Sequence, residues 1–296
     1  MHHIILATNN PHKIQEYKHM FDILQYPVDI ANINFKIPDN IEQFDDYQSN
    51  AIIKALYVKH YIEKILGKTI SEDTLILAED SGFEIDKLNG FPGIKSKRWI
   101  YDYIDNKNIN PYANKGEILA QMLLRKINNE LPNTQIANLT AKMIAIIGAV
   151  WNDKIYIGEG ILHGTLTPDM RGNYGWAYDK IFIPNPFDPH ITQITNQELV
   201  QKLHNKTLTL AELPTEYKNF ISHRRKAVEN LIENLSFYRP YSLSKEQQTL
   251  FDDIITYSIN EYKNTNVQNM VENEVQHVIL SYTPTNTIIN KNIGTT

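Results

Sequence analysis

The chain has 296 residues, 42% of them hydrophobic and 21% charged, which is enough apolar material for a real core in one large domain or two small ones. Its net charge of -5 excludes a broad basic surface for duplex nucleic acid, so no nucleic-acid partner is expected, although a local basic pocket could still hold an anionic nucleotide. Without cysteine there is no disulfide framework, no thiolate nucleophile and no Cys-ligated zinc.

In chain order, Ile4 to Ala7 reads as a first buried strand, with no basic segment ahead of it that would mark a signal peptide. No apolar run reaches bilayer length. No membrane partner and a cytoplasmic location are therefore expected. Asn10 is an N-cap and Pro11 suits the first helical position, followed by Ile14, Tyr17, Phe21 and Leu24 at helical spacing. A second helix is expected over about Tyr47 to Leu66, ended by Gly67, and then a strand from Thr74 to Ala78. Tyr101 to Asn138 is polar and Asn-rich, with a helical stretch near Ile118 to Ile127. Met143 to Trp151 and Lys154 to Leu162 read as strands joined by a tight Asn152-Asp153 turn. A short strand at Ile181 to Ile183, helix at about Leu210 and helix from Ser222 to Leu235 complete this part.

Beyond Pro240 the composition shifts, so residues 1–238 are read as the main domain and 239–296 as a C-terminal extension. Ser244-Lys245-Glu246-Gln247 is a capping box opening an amphipathic helix with Leu250, Phe251, Ile254, Ile255 and Ile259. From about Asn264 the chain is polar and reads as loosely ordered. Alternating strands and helices with one hairpin predict an α/β fold with a mixed central β-sheet flanked by helices.

Five segments carry candidate chemistry. Thr8-Asn9-Asn10-Pro11-His12-Lys13 places backbone N–H groups and a lysine at a helix start, a ready anion site; the plain alternative is an N-cap with a solvated lysine. Glu42 lies upstream of Asn50 and Lys54, which sit one turn apart on a helix and could meet metal and phosphate. Glu79-Asp80-Ser81-Gly82 is expected where a strand ends in a turn, and hard carboxylate oxygens there suit Mg²⁺ or a water-activating base. A turn-capping role is the alternative. Arg171 to Asp179 sets aromatics between glycines, either a base-stacking platform or a packed loop. Lys218 with Ser222-His223-Arg224-Arg225-Lys226 crowds cations at a helix start, which an anion would offset; the alternative is a solvated basic face. Gly67-Lys68-Thr69 is not a P-loop, because Ile62 stands where the first glycine is required.

Taken in order, these segments resemble the Ham1-like inosine triphosphate pyrophosphatase family over about residues 4–235. The matching pieces are Thr8-x-Asn10-x-x-Lys13, Glu42 ahead of Asn50-Ala51-x-x-Lys54-Ala55, the run from Asp80-Ser81-Gly82 through Gly90-x-Pro92-Gly93 to Ser96-x-Arg98, Trp176-Ala177-Tyr178-Asp179, and Lys218 with Ser222-His223-Arg224. The resemblance implies two lobes around a substrate cleft, a homodimer, and Mg²⁺-dependent hydrolysis of ITP, dITP and XTP to monophosphate and pyrophosphate. It implies Asp80 as proton acceptor and metal partner and Glu42 as metal ligand. Thr8, Asn9, Asn10, Lys13, Lys54 and Ser81 would hold the phosphates. Trp176, Ala177, Tyr178 and Asp179 would hold the base, with Lys218, His223 and Arg224 completing the pocket. Glu79 stands where many members have Asp, a reach longer by one methylene that bears on metal geometry, while Ala177 replaces a common glycine and Lys180 a common proline, departures that bear on base choice more than on the reaction. The extension has no counterpart in the resemblance.

Overall fold

The computed structural model describes residues 2–96, 98, 99 and 115–264. The polar tail after Asn264 and most of the Asn-rich segment before Lys115 lie outside these residues. The described strands are β1 (His3–Leu6), β2 (Asp29–Asn32), β3 (Thr74–Ile85), β4 (Pro92–Gly93), β5 (Thr140–Trp151), β6 (Lys154–Leu166) and β7 (Phe182–Pro184). The α-helices are α1 (Pro11–Ile23), α2 (Tyr47–His60), α3 (Lys115–Glu130), α4 (Gln197–His204), α5 (Thr215–Ile221), α6 (His223–Ser236) and α7 (Lys245–Asn264).

The sheet is mixed and open. Its order is β2-β1-β3-β5-β6-β7, with β4 paired to β3. β1 lies parallel to β2 on one side and to β3 on the other, while β3, β5, β6 and β7 pair antiparallel. The chain leaves β1 through α1 for β2, then returns through α2 to β3 on the opposite side of β1. Strand order therefore reverses between β1 and β3, and a crevice opens beyond their carboxyl ends, the usual ligand position in an open α/β sheet. The hairpin between β5 and β6 turns at Asn152 and Asp153, both at positive φ (48° and 58°), as a twist-matched two-residue turn requires.

Period-two alternation splits the apolar residues of β3 between two faces. Ile76 and Ala78 join Ile52, Ile53 and Tyr57 of α2, while Leu75 and Leu77 join Ile4, Leu6, Tyr17 and Phe21 with Val228 and Leu231 of α6. Further along the same strand, Phe83 and Ile85 belong to a third cluster with α3, Phe182 and Ile221. Two lobes thus share one set of long strands.

The expected strand Thr74 to Ala78 is too short. β3 continues through Glu79, Asp80, Ser81 and Gly82, because β5 pairs it without a break from Ile76↔Val150 to Ile85↔Ala141. Ladder hydrogen bonds override the local turn preference of Asp-Ser-Gly. The turn falls later, at Asn89 and Gly90, both at positive φ. The second helix is α-helical only to His60 and closes with a π-type turn, Tyr61–Ile65, before Gly67 at φ +61°. The helix expected near Leu210 is a short 3-10 turn, Leu210–Glu212, followed by α5 after Pro214. The residue patterns carry no indication of β2 or α4. Both are short, and β2 shows no buried residue.

The capping box at α7 is formed: Gln247 N–H donates to Ser244 Oγ and Ser244 N–H to Gln247 Oε1. Phe251, Ile255 and Ile259 of α7 are buried in the same cluster as α2.

α6 is pinned by a charge network on its outer side. Lys226 pairs with Asp188, and His190 bridges Asp188 (3.2 Å) and Glu229 (2.8 Å). The hydrogen bonds to Asp188 and Glu229 raise the His190 pKa from 6.5 to about 9. A raised folded pKa gives stability that is complete below about pH 6.5 and lost as pH climbs through about 9. Solvent screening reduces this to about 1 kcal/mol. Urea unfolding should therefore show stability falling by about that amount over this range, and His190→Gln should flatten the slope.

Candidate active site

The phosphate side is built on the turn after β1. Thr8 Oγ1 accepts from the Asn10 N–H, and Asn10 Oδ1 caps α1 by accepting from His12 N–H (3.2 and 3.0 Å). This leaves the α1 amino end facing the crevice and sets Lys13 in its first turn. Lys13 is mostly buried, with Nζ 3.2 Å from Glu79 Oε1. Its burial pushes the amine pKa down against the pull of Glu79.

Glu79 and Asp80 are neighbours on β3, so their side chains leave on opposite faces. Glu79 turns toward α1 and α6. Arg224 Nε lies 3.2 and 3.0 Å from its two oxygens, and Tyr17 OH donates at 2.7 Å. Burial works to raise the Glu79 carboxyl, but Arg224, Lys13, Tyr17 and Ser81 override it and hold it well below the usual carboxylate range. Arg224 also meets Glu16 at 3.1 Å and reaches Ser81 Oγ at 3.5 Å.

Asp80 turns toward α2, where Asn50 Nδ2 donates to its Oδ2 at 3.2 Å. Burial pushes its carboxyl upward, and nearby Glu42 adds to the shift. Lys54 of α2 donates to the Glu79 carbonyl (2.6 Å) and pairs closely with Glu42. Arg98 also approaches Glu42, at 3.7 Å. Burial opposes ionisation of Glu42, while Lys54 and Arg98 hold its pKa down.

Glu42 and Asp80 thus offer two hard-oxygen donors. Among the described residues no group of three or more His, Cys, Asp and Glu side chains could hold a metal. A cation here would take few protein ligands and complete its shell with water and phosphate, the habit of Mg²⁺. The upward-shifted Asp80 beside Glu42 is a pair that a divalent cation would relieve. The donor set fits that ion.

A cleft of about 370 Å³ opens over this cluster, lined by the Thr8–Asn10 turn, Lys13, Glu42, Lys54 and Glu79. It extends under Lys36 to Asp39, a wall that the sequence motifs did not include.

The base-loop residues lie beyond Arg224. Gly175 turns at φ +83°, and Ala177 takes φ +47° where a glycine would rest more easily. Asp179 Oδ2 accepts from the Trp176 N–H (3.0 Å) and meets Lys218 Nζ at 3.4 Å. Trp176 is 46% exposed, with part of its indole against Gly116 of α3. Tyr178 takes the packed-loop alternative for its side chain: it stacks on Phe83, with centroids 4.7 Å apart, and donates to Ser96 O at 2.6 Å. His223 opens α6, and burial drives its pKa well down, so the ring is neutral. Its Nδ1 is buried without a hydrogen-bond partner among the described residues.

Phosphate-side and base-side residues are joined in one chain of contacts, Lys13–Glu79–Arg224–Glu16–Lys218–Asp179. Residue patterns missed Glu16, a member of this chain of contacts, and placed Tyr17 only on the apolar face of α1, whereas its hydroxyl bonds Glu79. Their signal was position: Tyr17 lies one helical turn after Lys13 and shares its face.

The model of the Ham1 family matches residues 4–234. The chain belongs to the Ham1 family. A dITP/XTP pyrophosphatase of Clostridium perfringens is 30% identical over 240 residues, covering 79% of this chain and 98% of that protein. One of Flavobacterium johnsoniae is 32% identical over 79% of this chain and 97% of its own length. Among solved structures, a HAM1 protein from Coxiella burnetii superposes with a TM-score of 0.55 at 27% identity, covering 80% of this chain and 100% of that one. The Ham1 match stops before α7.

Proposed function

We propose that this Ham1-family chain is an acid-anhydride hydrolase that cleaves non-canonical purine nucleoside triphosphates, dITP, ITP and XTP, to monophosphate and pyrophosphate with Mg²⁺ as cofactor. The observation that carries the reading is the buried alternation of charge beside the end of β1 and the middle of β3. Lys13 and Arg224 pair with the Glu79 carboxylate and Lys54 holds its carbonyl, while Asp80 turns to the opposite face, where Asn50 donates to it. The relatives named dITP/XTP pyrophosphatases support the substrate class.

In this reading the Thr8–Asn10 turn, Lys13, Lys54 and Ser81 bind the triphosphate and hold its α-phosphorus before Asp80. A water attacks that phosphorus, its proton passes to an Asp80 carboxylate oxygen, and the bond to the bridging oxygen breaks with pyrophosphate leaving. Mg²⁺ held by Asp80 and Glu42 would offset charge on the phosphates and the leaving group. Trp176 stacks on the base, and the Ala177 to Asp179 backbone with Lys218 and His223 reads its edge. A 6-oxo acceptor satisfies donors there that a 6-amino group would leave unpaired. The same reading places the enzyme in the cytoplasm as a homodimer. Among the described residues no helix is long and apolar enough to cross a membrane.

The test is pyrophosphate release from ITP, dITP, XTP, dUTP, ATP and GTP, with and without Mg²⁺. The expected result is Mg²⁺-dependent turnover with kcat/KM for ITP and XTP above that for ATP and GTP, and at least about 100-fold above ATP, whose 6-amino group leaves those donors unpaired. Equal turnover of all bases would reject the specificity, and no turnover would reject the enzyme.

A further inference from the structure

α7 lies outside the segment that matches the Ham1 model, yet it packs on the site's acidic side. Its neighbours are α2, which carries Asn50 and Lys54, and the short helical turn Asp39–Ile41, which ends at Glu42. Phe251 is the innermost side chain of α7, fully buried, with its ring edge-on to Phe44 (centroids 5.0 Å, 72°). Phe44 is in turn clamped by Asn50. Its N–H donates to Asn50 Oδ1 and its carbonyl accepts from Asn50 Nδ2, both at 3.1 Å. The second hydrogen of that same Nδ2 is the donor to Asp80 Oδ2.

The clamp decides which way the Asn50 amide faces. With Oδ1 engaged by Phe44 N–H, the amino end must point at Asp80. A flipped amide would set oxygen against carboxylate and leave the Phe44 groups mispaired. The Phe44 backbone therefore has to stay in place, and on its ring side it rests on Phe251.

We propose that Phe251 of the C-terminal helix is a positioning residue for Asp80, acting through Phe44 and Asn50. This inference rests on the hydrolase reading above. It adds that the extension, which the family match does not include, is a working part of this chain's site. Phe251 touches neither substrate nor the reacting atoms, so its loss misaligns the carboxylate without removing a phosphate contact.

The experiment compares full-length Phe251→Ala, Phe251→Leu and Ile259→Ala with the wild type. Ile259 is buried in the same cluster two helical turns further on, about 12 Å along the axis, and serves as the control for lost packing alone. The expected result is a fall in kcat of at least about tenfold in Phe251→Ala, with KM for ITP changed less than about twofold. Phe251→Leu should recover most of that loss, and Ile259→Ala should keep the wild-type kcat despite a lowered Tm. Equal kcat losses in Phe251→Ala and Ile259→Ala, or an unchanged kcat in Phe251→Ala, would overturn the proposal.

Hydrogen exchange of the Asn50 side-chain amide, followed by NMR without nucleotide, gives a readout that needs no turnover. Protection in the wild type and Ile259→Ala but not in Phe251→Ala supports the clamp, and equal protection in all three overturns it. A wild type that turns over nothing while showing this exchange pattern would sink the hydrolase reading and leave the clamp standing.

Discussion

Asp80→Asn is expected to lower kcat for ITP by about a thousandfold or more, with nucleotide affinity largely kept. The substitution preserves shape and the position on β3 but removes the proton acceptor. Burial and nearby Glu42 push this carboxyl upward against the pull of Lys54. Lys13, Lys54 and the Thr8–Asn10 turn are untouched and Glu42 remains as the proposed Mg²⁺ ligand, so the phosphates keep most of their partners. Steady-state kinetics beside calorimetric binding of ITP by the inactive variant separate the two effects. Turnover within about threefold of wild type would remove Asp80 from the reaction.

Arg224→Met is expected to destabilise the fold by about 3 kcal/mol or more, because it strips a buried carboxylate of the guanidinium whose Nε contacts both its oxygens. Glu79 is 2% exposed on its side chain, and Lys13, Tyr17 and Ser81 would remain beside it. Adding Glu79→Gln to Arg224→Met should recover part of the loss, since the buried charge goes with it, though Lys13 then lacks its anion. The sign with pH follows from the depressed carboxyl. Its folded pKa lies below the ordinary 4.5, so the contribution is complete above that value and disappears as pH falls through the lowered one. The gap between wild type and Arg224→Met should therefore narrow in acid. Urea unfolding at neutral and acid pH measures it, and a cost under about 1 kcal/mol would show that Arg224 does not hold Glu79.

Some of this site is legible in the sequence because it is written in neighbouring residues. The Asn10 cap, the Asn50–Lys54 spacing and the Ser222 cap each need only one helical turn of chain, and each forms. The role of Glu79 is not legible in that way. Its bond to Arg224 spans 145 positions and exists only because α6 settles against β6. That approach depends on Gly160, where an added methyl would lie 2.0 Å from the His223 carbonyl. The same limit applies to β3. Asp-Ser-Gly favours a turn locally, and only the pairing with β5 keeps it extended. In the base loop, alternating aromatics cannot reveal which ring faces solvent. Trp176 does, and Tyr178 is spent on Phe83 and Ser96.

That unbroken β3 has a mechanical consequence. The strand carrying Glu79 and Asp80 is tied to β5 along its whole reactive stretch and gives the two lobes a common rigid floor. What surrounds this floor is the wall at Lys36 to Asp39 and the loop bearing Trp176. Reshaping that loop for another base would leave the bond-breaking atoms where they are. On the hydrolase reading, the loop can then change its base while the strand stays fixed, with the ion-pair chain through Lys218 and Asp179 as the link between the two sides.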